Sequence, residues 1–151
     1  MSVDRYRTVA ARAEGVLREK ASKFIGIVVP IQNEDDFKIE LQRIVTDHPG
    51  ARHFCFAYIL GEDGARQRSS DAGEPSGTAG LPILRAIIGS QLTFTAVVVV
   101  RYFGGTLLGK GGLVQAYGDA ARSAIAFPMI RSSRKKIQPP CRTRRMLRSC
   151  T

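Results

Sequence analysis

The alternation of hydrophobic and polar positions divides the chain into strands and helices. Polar and apolar residues roughly alternate from Thr8 to Lys20, and Phe24 to Pro30 is rich in β-branched side chains. These two runs predict strands that form a hairpin near Ala21. His53 to Leu60 also alternates, and both of its faces carry apolar side chains, so we predict a strand that is at least half buried on each face.

Helical spacing marks three further segments. The clearest begins at Asn33, which can cap a helix whose first turn is acidic and whose apolar residues recur up to His48. A second helix is predicted from Leu81 to Ile88, with Thr78 as its cap. The third spans Leu113 to Ile125, and its small apolar residues suit close packing on a sheet.

Phe94 to Val100 is a continuous β-branched run, which is typical of a central strand buried on both faces. Two glycine-rich segments, 69–80 and 104–112, fall between these regular elements. We predict that the two segments form one shared functional surface on a compact, mixed α/β domain.

Length and composition indicate one cytoplasmic domain, at residues 1–127. A chain of 151 residues supports a single core. No stretch approaches the length of a membrane span, so no membrane partner is expected, and the first residues lack a secretory pattern. The three cysteines show neither a disulfide framework nor the spacing of a metal site.

The net charge of +10 is concentrated at one end of the chain. Residues 131–151 carry eight Lys or Arg and no acid, whereas the first 130 residues carry 15 basic and 13 acidic groups. The domain is therefore nearly neutral. Beyond residue 127 periodicity disappears, and we predict that residues 128–151 form a basic, disordered tail.

The second glycine segment has the features of an anion site. Its glycines lie between a buried strand and a helix start, where free backbone N–H groups and the helix dipole attract phosphate. Arg101 and Lys110 add positive charge. The spacing matches no nucleotide-binding fingerprint, and the alternative is that the glycines serve tight turns and close packing. The glycines of the candidate site are Gly104, Gly105, Gly111 and Gly112.

The first glycine segment offers hydroxyl and carboxylate groups. Asp71 and Glu74 are candidates for general acid or base work or for Mg²⁺ ligands, although no cofactor or structural metal is required. The alternative is that Asp71 and the serines only satisfy backbone groups in a turn. The candidate ligand-binding residues of this segment are Ser70, Ser76, Gly77 and Thr78.

Four other positions carry side chains with possible chemistry. His53 and Cys55 lie two apart on one strand face, and we interpret them as a packed histidine and a core cysteine, since a reacting pair would need a third group. Tyr102 and Phe103, next to Arg101, could stack on a base or belong to the core.

The motifs around both glycine segments resemble the YigZ/IMPACT family. They are Ser70-Asp71-x-Gly73-Glu74-Pro75-Ser76-Gly77-Thr78-Ala79-Gly80 and Arg101-Tyr102-Phe103-Gly104-Gly105-x3-Gly109-x-Gly111-Gly112-Leu113, with Ser22-Lys23-Phe24 upstream. The resemblance implies an α+β domain of the ribosomal protein S5 domain 2-like class, with a mixed or antiparallel β-sheet and helices packed on one face. Bacterial members usually continue into a ferredoxin-like domain, where this chain has its basic tail, which reads either as an electrostatic arm or as a shifted reading frame.

The resemblance also implies a function. Eukaryotic IMPACT proteins regulate translation through a protein partner, so we expect a translation-linked binding protein that holds a phosphate-bearing ligand, RNA or nucleotide, at the glycine loops. The expected partners are RNA, the ribosome or a translation-regulatory protein. Two alternatives stay open: an enzyme that acts on a small phosphorylated metabolite, and a protein-interaction scaffold.

Overall fold

The computed structural model describes residues 5–105, 107–128 and 130–135. Seven strands and three helices follow one another along this part of the chain. In chain order they are β1 (Arg5–Val9), β2 (Ala13–Glu19), β3 (Ser22–Pro30), α1 (Glu34–Asp47), β4 (His53–Leu60), β5 (Arg66–Ser70), α2 (Gly80–Gly89), β6 (Thr95–Tyr102), α3 (Gly109–Ile125) and β7 (Ile130–Arg134).

Five of the strands form one antiparallel sheet in the order β2-β3-β6-β4-β5. β6 lies at its centre, and the side chains of its buried run, Ala96 to Val100, alternate between the two faces. The prediction of a central strand is confirmed. β1 and β7 form a separate two-stranded antiparallel sheet, so the alternating run from Thr8 to Lys20 belongs to two different sheets.

The β2–β3 hairpin turns at two residues, Lys20 and Ala21. Both have positive φ, 45° and 68°, which is the backbone of a two-residue turn that follows the natural twist of the strands. Gly104 packs directly on this turn, and a Cβ there would overlap the Ala21 backbone. The second glycine segment is thereby fixed against the β2–β3 hairpin.

Helices cover both faces of the sheet, and the expectation that they pack on one face is wrong. α2 and α3 share a core with Phe24, Val28 and other side chains of one face. α1 buries Phe37 and Ile44 against the opposite face, together with Ile27, Tyr58 and Val98. The physical reason is that β3, β4 and β6 are apolar on both faces, so each face needs a cover.

α3 lies unusually close to the sheet because β2 and β3 present glycines to it. A Cβ at Gly26 would overlap the carbonyl of Ala120, and one at Gly15 would come within 2.7–2.8 Å of the backbone of Ser123 and Ala124. The small residues along this face of α3 permit the approach, as their spacing predicts.

Helix starts are only partly readable from sequence. Asn33 caps α1 as predicted, since its side chain accepts from the Asp36 N–H at 2.8 Å. Thr78 is not the cap of α2: its hydroxyl donates to the Pro75 carbonyl at 2.5 Å, and Ala79 occupies the cap position. Thr78 is drawn back into the preceding loop by that bond.

The domain boundary predicted at residue 127 is wrong, because part of the predicted tail forms a strand of the fold. Ile130–Arg134 forms β7 and pairs with β1, although its sequence carries little apolar surface. The pairing covers five residue pairs and is made by backbone groups, so it does not depend on apolar side chains. Residues 136–151 of the predicted disordered tail lie outside the described residues. Within the described part of the chain, no helix has the length and apolarity needed to span a membrane.

Replacing Gly26 with alanine tests the close approach of α3. We expect Gly26→Ala to lower the free energy of unfolding by about 1–3 kcal/mol, because the new methyl group must displace the α3 backbone. Gly89→Ala is the matched control, since a Cβ there meets nothing within 4 Å. Urea denaturation of both variants checks this, and equal stabilities would contradict the close packing.

Candidate functional site

The two glycine segments meet at one end of the sheet. This is the end where β6 finishes, while β3 and β4 begin. Glu74 of the first segment bonds to Arg101, which precedes the second segment, and to Tyr117 of α3, which follows it. Glu74 therefore ties the first segment to residues on both sides of the second, and the shared functional surface itself stays a prediction.

Glu74 and Arg101 form a buried ion pair. One guanidinium nitrogen, Nη1, lies 2.6 Å from the Glu74 Oε2 atom, and the Arg101 and Glu74 side chains are only 4% and 5% exposed. The Tyr117 hydroxyl donates to the same oxygen at 2.5 Å. Burial makes such a pair sensitive to the loss of either partner, because the remaining charge would lack compensation.

Three further side chains surround this pair. His53 Nε2 lies 3.5 Å from the other Glu74 oxygen, and Nδ1 of the same ring lies 3.0 Å from the Ala72 carbonyl. The Ser22 hydroxyl accepts from Arg101 Nη2 at 3.4 Å and from the Gly104 N–H at 3.2 Å. The third side chain is that of Tyr117. We call this set the Glu74 cluster; it contains Ser22, His53, Glu74, Arg101 and Tyr117.

Cys55 and Tyr117 stay protonated at neutral pH. Burial raises the pKa of the Cys55 thiol to about 12, and the Glu74 and Asp71 charges act in the same direction. Burial also raises the pKa of Tyr117 above its ordinary value, helped by Cys55 and Glu74. Cys55 therefore acts as a hydrogen-bond donor, to the Asp71 carbonyl at 3.0 Å, rather than as a nucleophile.

Asp71 organises the first glycine segment from within. Its carboxylate accepts from the N–H groups of Gly77, Ala79 and Gly80 at 2.9, 3.1 and 2.8 Å. Partial burial alone would raise the pKa of Asp71, but these hydrogen bonds outweigh it and lower the pKa below the ordinary value. The carboxylate thus occupies the anion-attracting start of α2.

Both predicted carboxylates face protein donors. Asp71 bonds three backbone N–H groups, while Glu74 bonds Arg101 and Tyr117, so the arrangement gives each a positioning role. In the described ranges, no three His, Cys, Asp or Glu side chains are grouped to hold a metal ion.

The ligand-binding candidates separate by exposure. Arg101 and Thr78 are buried, and Arg101 points its charge at Glu74. The Ser70 hydroxyl accepts from the Ala72 N–H at 3.2 Å. The half-buried candidates are Ser70, Gly77, Gly104 and Gly112. The candidates that face solvent are Ser76, Gly105, Lys110 and Gly111.

The exposed part of the site centres on the start of α3. Leu108 stands at the cap position without a side-chain hydrogen bond, and the first turn contains no acid. Phe103 is 39% exposed, and the guanidinium carbon of Arg52 lies 5.4 Å from its ring centre. Leu107 is 82% exposed. We call Arg52, Phe103, Leu107 and residues 109–112 the α3 entrance.

Sequence reasoning missed the roles of Ser22, His53 and Tyr117. Periodicity assigns Tyr117 only to the packing face of α3, yet its hydroxyl reaches Glu74. From the sequence, His53 and Cys55 would need a third group to react. The group that His53 contacts is Glu74, 21 positions further along the chain. Ser22 has one signal, its place in the family motif, but a motif does not reveal which groups the hydroxyl joins.

The fold and the site define a class of protein: an α+β domain in which a buried ion pair joins two glycine-rich loops. The family model described as the Impact N-terminal domain matches residues 20–125, which is most of the chain. The protein belongs to this family, as its motifs predict.

Curated relatives and a solved structure agree with this assignment. The chain is 45% identical over 108 residues to an IMPACT family member of Haemophilus influenzae, covering 70% of this chain and 52% of that protein. It is 39% identical over 120 residues to IMPACT family member YvyE of Bacillus subtilis, covering 80% and 55%. A crystal structure of a hypothetical protein, 36% identical, superposes with a TM-score of 0.84 over 88% of this chain and 66% of the other. The chain spans about half the length of these curated relatives.

The role of Asp71 gives a prediction with a pH dependence. Asp71→Asn should lower the free energy of unfolding by about 1–2 kcal/mol at pH 7, since an amide cannot accept all three N–H groups. The lowered pKa means that the native carboxylate stabilises the fold above the ordinary aspartate pKa. This contribution is lost as the pH falls through the lower, folded value.

Urea denaturation at several pH values between about 7 and 2 measures both effects. The difference between wild type and Asp71→Asn should shrink toward acid pH. The matched control is Asp47→Asn, at the exposed last residue of α1. A constant difference across the whole pH range would show that the Asp71 charge does not hold the loop.

Proposed function

We propose that this domain is a translation-linked binding module whose α3 entrance holds a phosphate group of RNA or of a nucleotide. The observation that carries the proposal is that α3, unlike the other two helices, begins without any negative or capping group on its N–H donors among the described residues.

A comparison of the three helix starts supports this choice. α1 has the Asn33 cap and three acids in its first turn. α2 has the Asp71 carboxylate on the N–H groups of Ala79 and Gly80. α3 has a leucine at the cap position and Lys110 in its first turn. The positive end of a helix dipole attracts anions, and at α3 none of the described residues meets that attraction, which leaves it for an external group.

The glycines of the α3 entrance support close approach of a ligand to the backbone. Gly109 has a φ of +73°, and this left-handed backbone conformation explains why the residue is a glycine. Gly111 has no positive φ, and a Cβ there would meet nothing within 4 Å. Glycine in a helix costs about 1 kcal/mol relative to alanine. Among the described residues, packing therefore does not explain a glycine at position 111, whereas a phosphate bound to its N–H group would explain it.

The surroundings fit a ligand that carries both phosphate and a ring. Lys110 supplies an exposed positive charge, and the exposed ring of Phe103 offers a stacking surface beside Arg52.

The link to translation rests on the family resemblance, as do the proposed partners, the ribosome or a translation-regulatory protein. The cytoplasmic location stays a prediction from composition. The S5 domain 2-like class likewise stays a prediction. The enzyme alternative has weaker support, because both carboxylates that would act as base or Mg²⁺ ligand already bond protein donors. No described contact specifically favours a protein-interaction scaffold.

Gly111→Ala separates binding from stability. The variant should be as stable as wild type or more stable, because alanine favours helix and the site is open. It should nevertheless bind AMP and inorganic phosphate at least about tenfold more weakly, since the methyl group obstructs the N–H donors. Amide NMR titrations measure the binding, urea denaturation measures the stability, and in wild type the shifts should centre on residues 109–113.

The control is Gly89→Ala, which makes the same change at an equally open position of α2. It should bind like wild type. The proposal fails if Gly111→Ala also binds like wild type, or if AMP shifts amides far from the α3 entrance.

A further inference from the structure

The two-stranded sheet is strongly basic. β1 contributes Arg5 and Arg7, β7 contributes Arg131 and Arg134, and Lys135 follows directly. These two strands and Lys135 contain no acidic residue. We call residues 5–9 and 130–135 the basic ribbon. Part of the charge that the sequence assigns to a tail is therefore built into the fold.

One face of the basic ribbon concentrates arginine. Arg5 lies directly opposite Arg134, and Arg7 lies opposite Ser132, which places all four on one face. All four are exposed. Like charges directly opposite each other destabilise a strand pair. In the described part of the chain, none of the three arginines forms an ion pair. This face therefore suits a polyanion.

A cleft of about 510 Å³ adjoins this face. Arg5, Arg7 and Lys135 line one side, and the cleft also holds an apolar surface formed by Ile59, Ile88 and Leu92. Two amide side chains, Gln67 and Gln91, contribute polar groups, and Gln91 has a positive φ of 59° that is uncommon for a residue with a side chain. The volume lies within the range of small-ligand sites, about 300–1,000 Å³.

Acidic groups at the cleft leave the arginine face positive. Asp63 lies 2.7 Å from Lys135, so these two charges compensate each other. Glu62 also lines the cleft. The basic ribbon has five positively charged side chains, which outnumber these two acids. The three arginines of its exposed face belong to the strands themselves.

The cleft lies at the opposite end of the sheet from the α3 entrance. It is lined by Ile59 near the end of β4 and by Thr93 just before β6, whereas the α3 entrance follows the end of β6. The basic ribbon is therefore a second surface, independent of the proposed phosphate site.

We propose that the basic ribbon and its cleft bind single-stranded RNA, with the arginines on successive phosphates and one unstacked base in the cleft. Guanidinium groups match phosphate geometry, and clustered cations gain affinity by releasing counterions. RNA-binding proteins recognise splayed bases through their edges, which the amide groups can contact, while the apolar surface covers the base plane. An acidic peptide would satisfy the arginines but leave that apolar cleft unfilled.

Arg134→Glu gives the sharpest test. The substitution places a carboxylate directly opposite Arg5, so a repulsive pair becomes an attractive one and the melting temperature should rise. The affinity of the variant for a labelled single-stranded RNA of about 12 nucleotides, about four for each arginine of the face, should fall at least about tenfold. The slope of log affinity against log salt should lessen by about 0.7 or more. Fluorescence anisotropy on the full chain measures the affinity and its salt dependence.

Arg7→Gln, which leaves the Arg5–Arg134 pair intact, should also weaken binding.

Arg18→Glu is the matched control. Arg18 is exposed on β2 and lies directly opposite Lys23, so the substitution makes the same charge reversal in the same kind of pair. It should raise stability but change RNA affinity less than about twofold. The proposal is overturned if Arg134→Glu binds RNA as tightly as Arg18→Glu does, or if polyglutamate competes as well as unlabelled RNA. Loss of RNA binding only in Gly111→Ala would also overturn it, and would place RNA at the α3 entrance instead.

Discussion

The buried ion pair between Glu74 and Arg101 is the constraint on which the functional end of the molecule depends. Arg101 belongs to the central strand, the most enclosed element of the sheet, and Glu74 belongs to an irregular loop. Separating them would leave a charge in a buried environment, at a cost of about 3–5 kcal/mol. The loop is therefore tied to the sheet, and Tyr117 ties α3 to the same carboxylate oxygen. Backbone donors on two helix starts are thus placed relative to one rigid strand.

The two helix starts then diverge in their chemistry. Asp71 supplies an internal anion to α2, whereas α3 opens to solvent with glycines and Lys110. The carboxylates of the first segment thereby build the site rather than act at it. The opposite end of the molecule carries charge of a different kind, on side chains of the basic ribbon rather than on backbone groups. A backbone site suits one phosphate held closely, and an arginine face suits several phosphates along a chain.

Much of the fold is predictable because its signals are local. The Asn33 cap, the central strand from Thr95 and the small-residue face of α3 all follow from periodicity or from one side chain. Apart from the cap of α2, where the Thr78 hydroxyl turns back to the Pro75 carbonyl, the errors concern long-range choices. The position of α1 on the opposite face depends on the sheet being apolar on both sides, and β7 depends on backbone pairing with β1. For the site, the residue types are predictable, but the partner that each side chain faces is not. The sequence predicts Arg101 as a free cation, because its partner Glu74 lies 27 positions away.

The most direct test of this account is hydrogen exchange in a variant that removes both charges, Glu74→Gln with Arg101→Leu. Replacing a whole buried pair avoids a lone buried charge, so the core should stay folded. We predict that the amides of Gly77 and Gly104, which bond Asp71 and Ser22, exchange at least about tenfold faster together, while Val98 in β6 stays protected. Unchanged protection at Gly77 and Gly104 would contradict the claim that this ion pair positions the two glycine segments.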